Sequence, residues 1–293
     1  MSRLSPSRRT PSRLAKFART PKGTLLLVLL GLTLIAALRP ADHAGLLNAA
    51  VSIVTAVVID VGVALTCRRR AGLPDGAIIT GLLVADILSH TTPLSIVAAT
   101  TAVAVLSKHL LKVGRKPVFN PAALGLLVAI FVFGTGQSWW GSLALLPTWM
   151  IVIVIVAGTW IAIRVNKFPQ VAAFLGTYFV LLLAMAVTHV GLPTNTPADA
   201  LRVPFVNTAL FLAFFMLTDP PTSPAGYGHQ VVFGMLAALV GTVVFATIGG
   251  LAYLLIGLLA ANAWQSISSL VTKRRTRPGP RASEPLRSRT VGP

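Results

Sequence analysis

Acidic residues are scarce in this chain: only 7 Asp and Glu stand against 25 Lys and Arg, and charged residues of both signs make up 11% of its 293 positions. A soluble domain must cover its core with polar surface, so a chain this poor in charge and 55% hydrophobic has lipid as part of its solvent. Cysteine is nearly absent. The single Cys67 excludes an intrachain disulfide and any multi-cysteine zinc or iron–sulfur centre built by this chain alone, so redox chemistry needs a borrowed cofactor. His109, His189 and His229 lack the i, i+4 partners of a metal or haem pair and read as structural or interfacial. There is no phosphate-binding glycine loop, no nucleophile elbow and no Cys/His cluster, so no self-contained enzyme is legible.

What is present is a succession of apolar runs from Thr24 to Val271, among which runs long enough to span a bilayer, roughly 20 residues as helix, recur. The net charge of +18 would suggest nucleic acid until the basic residues are placed. They fall in the first 22 residues, at Arg68–Arg70, Lys108–Lys116, Arg164 and Lys167, and after Lys273, leaving only Arg39 and Arg202. With alternating spans the former all lie on one side, the positive-inside pattern, and no basic folded surface remains for nucleic acid. Gly23–Leu38 resembles a signal peptide, but Arg39-Pro40 follows it where small residues would be cleaved, so it reads as an uncleaved first span. The Ser-, Pro- and Arg-rich tails, 1–22 and 273–293, read as disordered cytoplasmic segments able to touch anionic lipid.

The breaks between runs predict an all-α polytopic membrane domain over 23–272. About ten transmembrane segments are expected near 24–38, 45–67, 76–89, 94–112, 121–134, 144–164, 169–192, 205–217, 230–248 and 250–271. Both termini then lie in the cytoplasm. The third and eighth segments are too short, at about 20 Å of helix, for a core of about 30 Å. Each is followed by a polar, proline-containing stretch: Ser89-His90-Thr91-Thr92-Pro93 and Thr218-Asp219-Pro220-Pro221-Thr222-Ser223-Pro224. They stand five segments apart, an odd number, so halves near 23–135 and 143–272 would run in opposite senses, an inverted repeat with broken helices at matching places and the functional centre between them.

Ionisable groups at membrane depth are functional candidates by default, and Asp60, Asp86 and Asp219 are placed there. For each a plainer role stays open: Asp60 reaching the Arg68–Arg70 cluster, Asp86 making a polar contact beside His90, Asp219 ending a helix. Asp219, between Thr218 and two prolines, sits where carbonyls become free for a cation or cofactor. With Thr218, these three carboxylates form the expected ion path. Trp139-Trp140 and Trp149 suit an outer aromatic belt, and Trp160 and Trp264 an inner one.

Specific strings then matter. Asp75-Gly76-Ala77-Ile78-Ile79-Thr80-Gly81-Leu82-Leu83, Ser107-Lys108-His109 and Phe119-Asn120-Pro121-Ala122 resemble the first-half signature of the NQR2/RnfD-like family, membrane components of NQR- and RNF-type electron-transport complexes. Phe174-Leu175-Gly176-Thr177 and Phe214 through Pro224 are similar to its later blocks, so the resemblance covers roughly residues 45–272. It implies ten helices in two inverted five-helix halves and a flavin cofactor. It also implies a place in a complex coupling electron transfer to Na+ or H+ movement, with other membrane subunits, a soluble redox partner or a quinone as partners. Carried onto this chain, Asp219 becomes the residue for cation handling. Lys108, Asn120, Pro121, Thr80 and Gly81 become the cofactor-binding set, Lys108 being suited to a reduced anionic flavin. The family's covalent FMN hangs from a threonine in a short Gly/Ala/Ser/Thr motif, whereas Gly134–Ser142 lacks that motif. The expected cofactor is therefore FMN or riboflavin held noncovalently.

The function expected is that of a membrane subunit of an RNF/NQR-like electron-transport complex in the bacterial inner membrane, not catalytic alone. A non-redox transporter or channel on the same scaffold, and a membrane anchor for a biosynthetic or electron-delivery partner, are the alternatives.

Overall fold

The computed structural model describes residues 13–39, 43–68, 73–114, 116–189, 202–250 and 252–275. It is mostly helical: α1 (Arg13–Ala18), α2 (Pro21–Ala36), α3 (His43–Thr66), α4 (Asp75–Ile87), α5 (Leu94–Leu110), α6 (Pro121–Phe133), α7 (Ile151–Arg164), α8 (Phe168–Thr188), α9 (Val203–Phe211), α10 (Tyr227–Thr247) and α11 (Tyr253–Arg275). A two-residue antiparallel hairpin, β1 (Lys112–Val113) and β2 (Lys116–Pro117), joins α5 to α6, with Lys112 opposite Pro117. The ten apolar segments read from hydropathy correspond to α2–α11. α1 falls inside the stretch read as a disordered tail: Arg13–Ala18 is helical, and Thr20 caps the next helix by accepting from the Gly23 amide. At the other tail α11 continues through Arg275, so 273–275 are helical too; residues 1–12 and 276–293, and the connection at 190–201, lie outside the described residues.

Among the described residues, four helices are long and apolar enough to cross a membrane: α3, α8, α10 and α11 over Tyr253–Thr272. The two segments expected to be broken are short. α4 has 13 residues. α9 has nine and then widens into a π-helix, Leu212–Met216, whose last bond runs from the Leu217 amide to the Leu212 carbonyl at 2.8 Å. Single π turns inside helices concentrate at functional sites.

Neighbour relations repeat between α2–α6 and α7–α11. In the first set α3 packs on α4 and α5, α5 on α6, and α2 on α4; in the second α8 packs on the π turn and α10, α10 on α11, and α7 on α9. The sets meet where α2 touches α7 and α6 touches α11. Close approach inside the second set depends on Gly234, where an added Cβ would lie 2.4 Å from the Gln170 carbonyl oxygen.

Chain direction alternates. Lys22 and Asp75, at the starts of α2 and α4, are 3.3 Å apart, Arg164 at the end of α7 reaches the Arg19 carbonyl, and Tyr227 at the start of α10 bonds Asn166 at 3.1 Å. These contacts define a basic end. At the opposite end the Ser89 amide, after α4, donates to the Gly136 carbonyl, after α6, at 3.1 Å. The turn 134–147 folds inward there to meet the short α4. This corrects the reading of Trp139-Trp140 as an exposed belt: both are buried, Trp140 donating to the Ala85 carbonyl and Trp139 to Gln137, whereas Trp149 is exposed. A 13-residue helix leaves carbonyls short of the boundary, and the indole N–H of Trp140 supplies a partner.

Candidate functional site

Broken helices expose carbonyls that lipid cannot satisfy. After α4, Asn48 from the second turn of α3 donates to the Ser89 and His90 carbonyls at 3.3 and 3.2 Å. After the π turn, Gln170 from the first turn of α8 donates to the Leu217 carbonyl. A carboxamide at the start of the preceding long helix thus holds each break. Three further groups complete the second one. Lys167 donates to the Pro224 carbonyl, Gln230 to those of Asn166 and Ala225 at 3.0 Å each, and Asn262 to that of Thr222 at 3.2 Å.

The Phe-Asn-Pro-Ala string fixes this region to the first half. Asn120 caps α6, its Oδ1 accepting from the Ala123 amide at 3.1 Å, with Pro121 in the first turn, where a missing N–H costs nothing. Its Nδ2 donates to the Met216 carbonyl at 3.2 Å, and its own amide donates to Asn262 Oδ1 at 2.9 Å. One buried asparagine therefore joins α6, the end of the π turn and α11.

Beside this joint opens a cavity of about 950 Å³ at the basic end. Its apolar wall includes Leu25, Ile79, Leu83 and Phe215, its rim carries Lys22, Lys108, Lys112, Lys116 and His109, and Asp219 is its carboxylate. Of the residues expected to bind a cofactor, Thr80, Lys108, Asn120 and Pro121 line it. Gly81 does not: an added Cβ there would stand 3.0 Å from the Ser52 carbonyl oxygen, and Ser52 donates to the Gly81 carbonyl at 2.8 Å, so this glycine serves α3–α4 packing.

The expected ion-path residues separate. Asp219 lines the cavity, accepting from Thr222 Oγ1 at 2.9 Å, while the Thr218 hydroxyl is spent on the Phe214 carbonyl at 2.6 Å. Asp60 pairs with the lining residues Lys108 at 2.6 Å and His109 at 3.0 Å, while Arg69 and Arg70 of the cluster it was read as reaching lie outside the described residues. Asp86 lies toward the opposite end, fully buried, with Thr33 and not His90 as its partner, at 2.8 Å. Lys167 is 5% exposed, and burial, then the nearby Lys116 charge, lowers its pKa to about 8 against an opposing pull from Asp219. Among the described residues no group of three or more His, Cys, Asp and Glu could hold a metal ion.

Sequence reasoning missed Gln170, Gln230, Asn262 and Lys167. Their signal was a lone polar group within the first turns, or on the inner face, of an otherwise apolar helix.

The NQR2, RnfD, RnfE family model matches residues 15–146, from α1 through the inward turn after α6. Residues 15–146 are NQR2/RnfD-like. No curated protein matches the chain. The matched stretch supplies most of the cavity, including Thr80, Lys108 and Asn120. Asp219 and Phe215 come from beyond it.

Proposed function

We propose that the chain is the membrane subunit of an RNF/NQR-like electron-transport complex of the bacterial inner membrane. In this reading ten spans form two inverted halves, both termini are cytoplasmic, and the basic cavity holds a flavin noncovalently. Other membrane subunits, or a soluble redox partner, deliver the electrons, and a quinone is a candidate acceptor. The family suggests the electron-transport setting. The observation that carries the site is that four residues of the expected cofactor-binding set, Thr80, Lys108, Asn120 and Pro121, and Asp219 of the Thr-Asp-Pro string line one cavity.

The residues suit such a group. The volume lies in the range of ligand pockets, the apolar wall with Phe215 matches a flat ring system, and Lys22, Lys108, Lys112 and Lys116 match a phosphate. A flavin, when bound, would supply one- and two-electron transfer. Lys108, held by Asp60, places positive charge beside that ring, and the lysines of the hairpin neutralise the phosphate. Asp219 and Thr218, at the end of the π turn, are the proposed handling point for a coupled Na+ or H+. The covalent alternative is disfavoured by the inward turn: Thr135 Oγ1 is buried and Ser138 Oγ bonds the Leu88 carbonyl at 3.3 Å.

The test is the visible spectrum and flavin content of the purified chain, with and without partner subunits. Flavin released by denaturation without covalent adduct is the expected result, and protein colourless in every preparation refutes the reading. The buried turn after α6 also favours a second reading, a non-redox transporter on this scaffold. Proteoliposome flux of Na+ or H+ unchanged by Asp219→Asn would argue against it.

A further inference from the structure

At the other end of the molecule a set of polar atoms plays no part in the cavity. Asp86, on α4, is 0% exposed; Oδ1 accepts from Thr33, and Oδ2 has no hydrogen-bond partner. Gly141 lies directly against it, such that an added Cβ would come 2.5 Å from Asp86 Cβ. The next residue, Ser142, is 1% exposed and its Oγ is also without a partner. The Ser142 carbonyl accepts from Asn207 Nδ2, on α9, at 2.9 Å. That bond fixes the orientation of the amide, and Asn207 Oδ1, in a side chain 2% exposed, is the third oxygen left unpaired. Three elements in contact therefore bring three desolvated, unsatisfied oxygens into one junction, linking α4 of the first set to α9 of the second.

Unpaired buried acceptors are costly. With Asp86 ionised, the Ser142 hydroxyl has one proton to give to one of the other two oxygens, and the rest of the set stays unpaired. A cation satisfies several at once and compensates an ionised carboxylate. One carboxylate among neutral hydroxyl and amide oxygens balances a single positive charge, and all-oxygen donors suit a hard ion.

We propose that Asp86, Ser142 and Asn207 form a buried site for an alkali cation at the junction of the two halves, separate from the basic cavity. The site deepens the ion-coupling part of the proposed function and rests on that reading only for its use, not for its existence. It has its own reporter, because the Trp140 indole bonds the carbonyl of Ala85, the residue before Asp86.

The test uses the full chain purified in detergent, with its flavin content recorded. NaCl, LiCl and KCl are titrated against choline chloride at constant ionic strength, reading tryptophan fluorescence and the unfolding midpoint. A saturable response to at least one alkali ion but not to choline is expected. It should be lost in Asp86→Asn, weakened on the order of tenfold or more in Ser142→Ala, and its fluorescence part removed in Trp140→Phe. Ser142→Ala keeps the test decisive should Asp86→Asn fail to fold, since the backbone bond to Asn207 remains. No saturable response in the unaltered chain, an unchanged response in Asp86→Asn or Ser142→Ala, or sensitivity to pH alone would overturn the proposal. A chain colourless in every preparation, with and without partner subunits, that still responds would refute the flavin reading and leave this site standing, while a flavin-loaded chain without the response would do the reverse.

Discussion

Replacing Asn120 by alanine removes two buried hydrogen bonds at the joint between the halves. The cap on the Ala123 amide is worth about 1 kcal/mol. Loss of the donor to the Met216 carbonyl leaves a buried acceptor unsatisfied, at a cost of about 1–3 kcal/mol. The sum, about 2–4 kcal/mol, is a large part of the stability of an ordinary domain. Asn120→Ser isolates the second term, because serine still caps the helix but cannot reach Met216, and it should cost about 1–3 kcal/mol. Asn262→Ala withdraws the acceptor from the Asn120 amide and the donor to Thr222. The double variant should therefore be non-additive by about 0.5–3 kcal/mol. The assay is thermal unfolding in detergent followed by loss of monodisperse protein, run beside flavin retention. Asn120→Ala within about 0.5 kcal/mol of the unaltered chain would refute the claim that this asparagine holds the π-turn end in place.

Other outcomes follow from the same contacts. Because the native Lys167 pKa is lowered to about 8 from 10.5, the unfolded chain binds more protons between those values, so stability should rise with pH across that window; Lys167→Met should flatten the slope in melts at about pH 7 to 10. Gly234→Ala would press a methyl to 2.4 Å from the Gln170 carbonyl oxygen and should cost about 1–3 kcal/mol by forcing α8 and α10 apart, read as a lowered unfolding midpoint. Tyr178→Phe breaks the 2.7 Å bond to Tyr253 while keeping the ring stack, and should lower stability by only about 0.5–1.5 kcal/mol in the same melts.

The ten apolar segments and the two short ones were legible because hydropathy and length are local properties, and most of α2–α11 begin and end within a few residues of where composition places them; α7 is the exception, starting at Ile151 and not near 144 because the chain before it belongs to the inward turn. The prolines after Asp219 and the short run before it were enough to locate a break. What closes the breaks was not legible. Asn120 and Asn262 meet across 142 residues, Gln170 and Leu217 across 47, and an isolated amide in an apolar run carries no mark of its distant partner. The same limit hid two partners of Asp60, Lys108 and His109 on α5. Trp139-Trp140 misled for a different reason: the aromatic belt is a rule for turns that stay at the interface, whereas this turn is drawn inward by the unmet carbonyls of α4.

The most direct test of the central claim, that the lysine-rimmed cavity between the halves is the cofactor site, is flavin binding by the full chain and by its Lys112→Gln/Lys116→Gln variant. Binding of FMN and of riboflavin would be followed by fluorescence quenching. The account predicts saturable binding by the unaltered chain, with FMN affinity falling on the order of tenfold in the variant and riboflavin affinity nearly unchanged, since charge-assisted contacts to phosphate are lost and the ring wall is not. Equal losses for both flavins, or FMN binding indifferent to the two lysines, would contradict it.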